Sequence, residues 1–187
     1  MRLFVALDVP QETREKLASL VQQFSKICRG ARWVRAEGVH VTLKFIGEIE
    51  EARLPEIKEK LAEVNFTGAI DIAFRQFGFF PNERRPRVFW AGIEAGPALA
   101  ELAKQIDAKL QPLGIAREEK EFRPHLTLAR FQSMEGLPKL QDMIKGLATQ
   151  DFGSTTAPEF RLYQSKLKPG GAEYTRLASF TFARGTE

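Results

Sequence analysis

His40 and His125 are the only two histidines among 187 residues, and each opens the same short pattern. The segments are HVTLKF (40–45) and HLTLAR (125–130), with threonine at +2 and leucine at +3 in both. With ten threonines and nineteen leucines in the chain, chance places that pair after one histidine in roughly 0.5% of cases and after both in roughly three per 100,000. Both segments alternate like strands, and side chains on a strand alternate between faces. His40 and Thr42 therefore share one face, as do His125 and Thr127, about 6.5–7 Å apart along the strand. Strict alternation adds Lys44 to the His40 face and puts Val39, Val41, Leu43 and Phe45 on the other. In the second segment Leu126 and Leu128 form the apolar face. Two near-neutral imidazoles supply a general base and a general acid together near pH 7. Two hydroxyls donate hydrogen bonds to two oxygens of a tetrahedral anion. Phosphodiester cleavage uses all four groups: a base on the nucleophile, an acid on the leaving oxygen opposite, and donors to the nonbridging oxygens between.

Other chemistries fit these residues less well. A zinc site would have two histidines and the single Cys28, with carboxylates needed to finish the set. There is no HExxH spacing, and neither histidine has an acid beside it on its polar face. No metal is expected. A Ser–His–Asp arrangement lacks the G-x-S-x-G elbow and has no use for two equivalent histidines. A lone strand histidine is commonly a satisfied structural residue, but repetition of the whole motif weighs against that here.

The elements that must carry these motifs also repeat. Strands are expected at 2–8, 39–46 and 69–79, with helices at 11–27 and 51–64. The turn-rich PNERRP (81–86) follows. Strands are then expected at 87–94, 125–131, 158–167 and 174–183, with helices at 98–113 and 135–147. A shift of 85 residues lays His40, Thr42 and Leu43 on His125, Thr127 and Leu128. Without a gap it also lays Arg2, Phe4 and Ala6 on Arg87, Phe89 and Ala91. Residues 1–187 thus read as one domain made of two duplicated lobes, with the motifs at 40–43 and 125–128. The expected fold is α+β and bilobal: two pseudo-twofold-related β-α-β-α-β lobes whose antiparallel sheets flank a central cleft.

Composition bounds the rest. The chain is 43% hydrophobic and 28% charged, enough apolar content for a core. One cysteine excludes a disulfide framework. No apolar run reaches the ~18–20 residues of a membrane span, and MRLFVALDVP meets Asp and Pro too early for a signal peptide. A soluble, cytoplasmic protein is expected. The net charge of +4 suits a polyanionic partner without identifying one.

These motifs resemble the two-histidine (2H) phosphoesterase superfamily, defined by paired H-x-[ST] motifs. Within it the chain is similar to the bacterial and archaeal RNA 2′,3′-cyclic phosphodiesterases, also called 2′-5′ RNA ligases. RLFVALDVP, WVRAEGVHVTLKFIGE (33–48), FRPHLTLAR (122–130) and SKLKPGGAEYTRLASF (165–180) carry the resemblance over nearly the whole chain. It implies hydrolysis of RNA 2′,3′-cyclic phosphate ends to 2′-phosphomonoesters, without metal or cofactor. His40 is then the proton donor and His125 the proton acceptor, with Thr42 and Thr127 on the phosphate oxygens. Arg130 is an implied phosphate contact, although alternation puts it on the leucine face, so a bend at the strand end is required. The resemblance also implies reversible 2′-5′ ligation, and as partners RNA with 2′,3′-cyclic phosphate or 2′-phosphate ends, tRNA fragments included. A monomer away from membranes is expected.

Several further residues have a functional and a structural reading. Lys44 is either cationic help or a solvated surface lysine, and Phe45 is assigned to the core. Arg84, Arg85, Arg87, Lys166 and Lys168 are candidates for the RNA backbone. Trp33 and Tyr163 are candidates for base stacking, with core packing the alternative for each. An RNA-end or nucleotide binding module, and a phosphodiesterase for small cyclic nucleotides or ADP-ribose 1″,2″-cyclic phosphate, remain as alternative functions. Pseudo-symmetry alone does not say which histidine is the acid.

Overall fold

The structure is a computed structural model that describes residues 1–35 and 38–184. Residues 36 and 37, inside the 33–48 segment quoted above, lie outside the described residues. The first half runs β1 (Arg2–Leu7), α1 (Gln11–Ile27), β2 (Ala31–Trp33), β3 (Val41–Glu48), α2 (Leu54–Ala62) and β4 (Ile70–Phe80). The second runs β5 (Val88–Ala95), α3 (Pro97–Leu110), β6 (His125–Phe131), α4 (Leu137–Lys145), β7 (Asp151–Ala157), β8 (Glu159–Lys168) and β9 (Gly171–Thr181). Helices α2, α3 and α4 each place a proline in the first turn, where its missing N–H has no intrahelical partner to lose.

Among the described residues the named strands pair antiparallel throughout, and they form two sheets, ordered β3-β1-β8-β9 and β2-β6-β5-β4-β7. This is the expected α+β class with two antiparallel sheets. The sheets are not the two halves of the chain, however. β4 from the first half pairs with β5, and β8 from the second half pairs with β1. The helices cross over too: α1 packs on β7, β2 and α4, while α3 packs on α2 and β3. Each sheet thus draws on both halves, which ties the halves into one cooperative unit.

The core is continuous between sheets and helices. Phe24 of α1 is fully buried and meets Trp33, Phe77 and Phe89 edge-on or tilted at 5.5–6.2 Å. Removing such a ring costs about 3–5 kcal/mol. Among the described residues no helix is long and apolar enough to cross a membrane.

Two strands escape the sequence reading. β2 has three residues, too few for a period to show, and β7 (DFGSTTA) buries only Phe152 and Ala157. A third difference is one of register. Thr42 pairs with Ala6 and Thr127 with Trp90, while Phe45 pairs with Phe4 and Arg130 with Val88. The motifs therefore correspond at a shift of 85, but β1 and β5 at 84. Laying Arg2, Phe4 and Ala6 on Arg87, Phe89 and Ala91 is one residue out, and one residue reverses the face. Phe4 and Ala6 pack together on the cleft side, whereas Phe89 and Ala91 lie in the main core.

Both motif strands carry a bulge at the same place. Val5 pairs with Lys44 and Ala6 with Thr42, which leaves Leu43 as the extra residue; Phe89 pairs with Ala129 and Trp90 with Thr127, which leaves Leu128. An extra residue puts two successive side chains on one side and re-aims the next. Leu43 with Lys44, and Leu128 with Ala129, are buried as pairs, and Phe45 and Arg130 emerge.

Candidate active site

The polar faces of β3 and β6 look into one cleft of about 930 Å3. His40, Thr42, Phe45, His125, Thr127 and Arg130 all line it. The two rings are tethered alike. His40 Nδ1 lies 3.3 Å from the Gly38 carbonyl oxygen, and His125 Nδ1 lies 2.7 Å from that of Arg123. A carbonyl oxygen only accepts, so each neutral ring carries its hydrogen on Nδ1 and keeps the Nε2 lone pair free. In both cases the acceptor sits two residues before the histidine, a local geometry that the strand entry builds twice.

The surroundings of the rings differ. Phe4, Tyr163 and Tyr174 enclose His40 at centroid distances of 5.6, 4.7 and 5.1 Å. Gly38 is small because Tyr174 packs on it; a Cβ there would stand 3.0 Å from the tyrosine ring. Burial pushes the His40 imidazole below its ordinary value; the Gly38 carbonyl and the Asp8 charge oppose this, and Arg14 adds to it. His125 meets Phe80 edge-on at 5.0 Å and Trp90 at 6.5 Å.

Thr42 and Thr127 sit two residues along from their histidines, half-buried, and neither hydroxyl is engaged within the protein among the described residues. Arg130 is exposed on the cleft side. The bulge at Leu128 supplies the bend that its sequence position required. The bulge at Leu43 overturns both readings of Lys44, which points inward and is 3% exposed. Its Nζ lies 2.5 Å from Asp107 Oδ1 and donates to the Ala116 carbonyl at 2.6 Å. Phe45 is likewise not core: it is 63% exposed in the cleft. A leucine at an inward position looks the same with or without an extra residue, so neither shift was legible.

The remaining candidates scatter. Arg84 and Arg85 edge a separate small depression with Asn82 and Glu83. Arg87 and Lys166 are exposed, and Lys168 pairs with Glu173 at 2.6 Å. Trp33 packs against Phe24 and Phe89, and its Nε1 donates to the Cys28 carbonyl at 3.1 Å. Tyr163 is buried, with its ring against His40 and its hydroxyl donating to Asp8. Phe4, Asp8 and Tyr174 are site residues that the sequence did not single out. Among the described residues no three His, Cys, Asp or Glu side chains gather as a metal-binding group.

Comparison with known proteins follows the same lines. A family model described as LigT like phosphoesterase matches residues 7–90 and 93–174. An RNA 2′,3′-cyclic phosphodiesterase of Archaeoglobus fulgidus is 38% identical over 96% of this chain and 99% of its own. One of Methanocaldococcus jannaschii is 37% identical over 93% and 96%. A crystal structure from Thermus thermophilus matches all of both chains at 30% identity with a TM-score of 0.79. The E. coli LigT structure with 3′-AMP has a TM-score of 0.75 over 97% of each chain; at 24% identity it shows likeness of fold.

Proposed function

This chain belongs to the LigT like phosphoesterase family, and we propose that it hydrolyses RNA 2′,3′-cyclic phosphate ends to 2′-phosphomonoesters without a metal ion. The observation that carries the reading is the paired tethering of His40 and His125, which leaves two free Nε2 atoms in one cleft. His125 Nε2 takes a proton from water as the water oxygen bonds to phosphorus. The phosphorus–O3′ bond breaks, and protonated His40 gives its Nε2 proton to O3′. The 2′ oxygen stays on phosphorus and the 3′-hydroxyl is freed. A bound anionic phosphate favours the imidazolium form of His40, offsetting the burial that lowers it in the free protein.

The other cleft groups take complementary parts. The Thr42 and Thr127 hydroxyls donate to nonbridging oxygens, and the Arg130 guanidinium meets the charge they gain. Phe45 offers an exposed ring face for the terminal base. An RNA 5′-hydroxyl in place of water gives a 2′-5′ linkage by the same bond changes, and the reverse step exchanges the two histidines' roles. We read residues 1–187 as one duplicated domain; the matched bulges and the two matched stretches of the family model support this. Its substrates on this reading are RNA ends, tRNA fragments among them, met by a monomer in the cytoplasm. The single buried Cys28 suits a reducing compartment.

The test is an oligonucleotide ending in a 2′,3′-cyclic phosphate, incubated with EDTA, its product located by phosphorus NMR. The reading expects the 2′-phosphate at an undiminished rate, and faster turnover of the oligonucleotide than of a cyclic mononucleotide. Binding without turnover, a 3′-phosphate product or a metal requirement would each contradict it.

A further inference from the structure

The two histidines sit in matched frames with different contents. Ala6, opposite Thr42, corresponds to Trp90, opposite Thr127. Arg161, opposite Ala6, corresponds to Gly78, opposite Trp90; Tyr163, opposite Phe4, corresponds to Phe80, opposite Val88. Gly92 pairs with His125. Its counterpart, one residue beyond the Leu7–Val41 pair and so beside His40, is Asp8.

Around His125 the frame is apolar and full. A Cβ on Gly78 would stand 2.1 Å from the Trp90 ring, and one on Gly92 would stand 2.3 Å from the Arg75 carbonyl oxygen. Neither position admits a side chain. Around His40 the small Ala6 leaves room for a polar trio. The Tyr163 hydroxyl donates to Asp8 Oδ1, and Arg161 Nη1 donates to Asp8 Oδ2. Arg161 also holds Glu159 at 2.6 Å, so within this cluster one guanidinium is shared between two carboxylates.

We propose that Asp8, held by Tyr163 and Arg161, is a positioning residue that keeps a proton on His40, and that its absence beside His125 divides acid from base between two rings that are tethered alike. This rests on the reading of His40 as the acid. A carboxylate near an imidazole favours the charged ring, against the burial imposed by Phe4, Tyr163 and Tyr174. Among the described residues the other charged or titratable groups on the His40 side are Arg14 of α1, Arg161 and Tyr163 of β8, and Tyr174 and Arg176 of β9, with Arg2 of β1 and Arg130 of β6 acting on Tyr174. Arg14 opposes the proton. Burial pushes both tyrosine hydroxyls up, so they stay neutral.

The experiment combines NMR titration of the two histidine signals with kcat/KM against pH, for the wild type, Asp8→Asn and Tyr163→Phe. Tyr163→Phe keeps the ring against His40 and removes only the hydroxyl that holds Asp8. In Asp8→Asn the His40 midpoint falls, the His125 midpoint stays, and kcat/KM drops about three- to tenfold at pH 8. At low pH, where His40 is fully protonated in both proteins, the rate is unchanged; Tyr163→Phe moves the same way by less. An unmoved His40 midpoint, or a loss equal at every pH, overturns the proposal. A lower midpoint with faster turnover at low pH also overturns it, by making His40 the base; that result separates failure of the role assignment from failure of the Asp8 device.

Discussion

Phe45 and Arg130 are each the third residue after a motif threonine, and each reaches the cleft because the leucine two residues before it is a bulge. The same backbone device thus delivers an aromatic face from one strand and a guanidinium from the other. On the proposed function the base of a nucleotide end meets Phe45 and its phosphate meets Arg130.

Phe45→Ala is expected to lower kcat/KM about five- to hundredfold, the worth of one base stacked on an aromatic ring. Phe45→Trp keeps most of the rate. An abasic ribose cyclic phosphate should be turned over equally by wild type and Phe45→Ala. Steady-state kinetics on both substrates checks this, and an equal loss on the abasic substrate would exclude stacking.

Arg130→Ala removes the arginine that the second bulge turns into the cleft, and if it meets the phosphate as proposed kcat falls by about 10²-fold or more. Arg130→Lys restores charge but not the two-pronged donor geometry, so it recovers only part. Single-turnover rates decide the point; full recovery by lysine would reduce the role to charge alone.

Lys44→Met leaves the half-buried Asp107 with only the exposed Arg117, 3.8 Å away, as a cationic partner, and unfolding by urea should show a loss of about 1–3 kcal/mol. The double variant Lys44→Met/Asp107→Leu removes both charges and should regain much of it. Asp107 also accepts from the Glu118 backbone N–H, on the segment that leads to Arg123 and His125. A single variant as stable as the wild type would contradict the reading of Lys44 and Asp107 as an interdependent pair.

His40 should titrate below the ordinary imidazole value in the free protein, because burial disfavours its charged form. The unfolded chain then binds that proton more readily than the folded one. The stability tied to a neutral His40 is present above about pH 6.5 and lost as pH falls towards the folded midpoint. With only two histidines in the chain, two NMR signals suffice, and His40→Asn assigns them. A His40 midpoint above the ordinary value would refute the effect of burial.

The chemistry was legible because it is local. His40 with Thr42 and His125 with Thr127 lie on one strand face whatever the rest of the chain does. What was not legible depends on strands far apart in sequence. The extra residues Leu43 and Leu128 show only against their partners on β1 and β5, so Lys44 and Phe45 were read on each other's faces. The slip that aligned Phe4 with Phe89 has the same origin: apolar alternation fits two registers, and only the cross-strand pairs separate them. The trade of β4 and β8 between sheets is likewise set by long-range packing, while Asp8 gains meaning only once Arg161 and Tyr163 lie beside it.

The central claim is that one imidazole gives a proton to O3′ while the other takes one from water. It is tested most directly by changing the leaving atom. A substrate with sulfur in place of O3′ expels a thiolate that needs no proton. The single-turnover rate of His40→Ala, down about 10²–10⁴-fold on the oxygen substrate, should return close to that of the wild type on the sulfur substrate, while His125→Ala stays slow on both. Rescue of His125→Ala instead, or no rescue of either variant, would contradict the account.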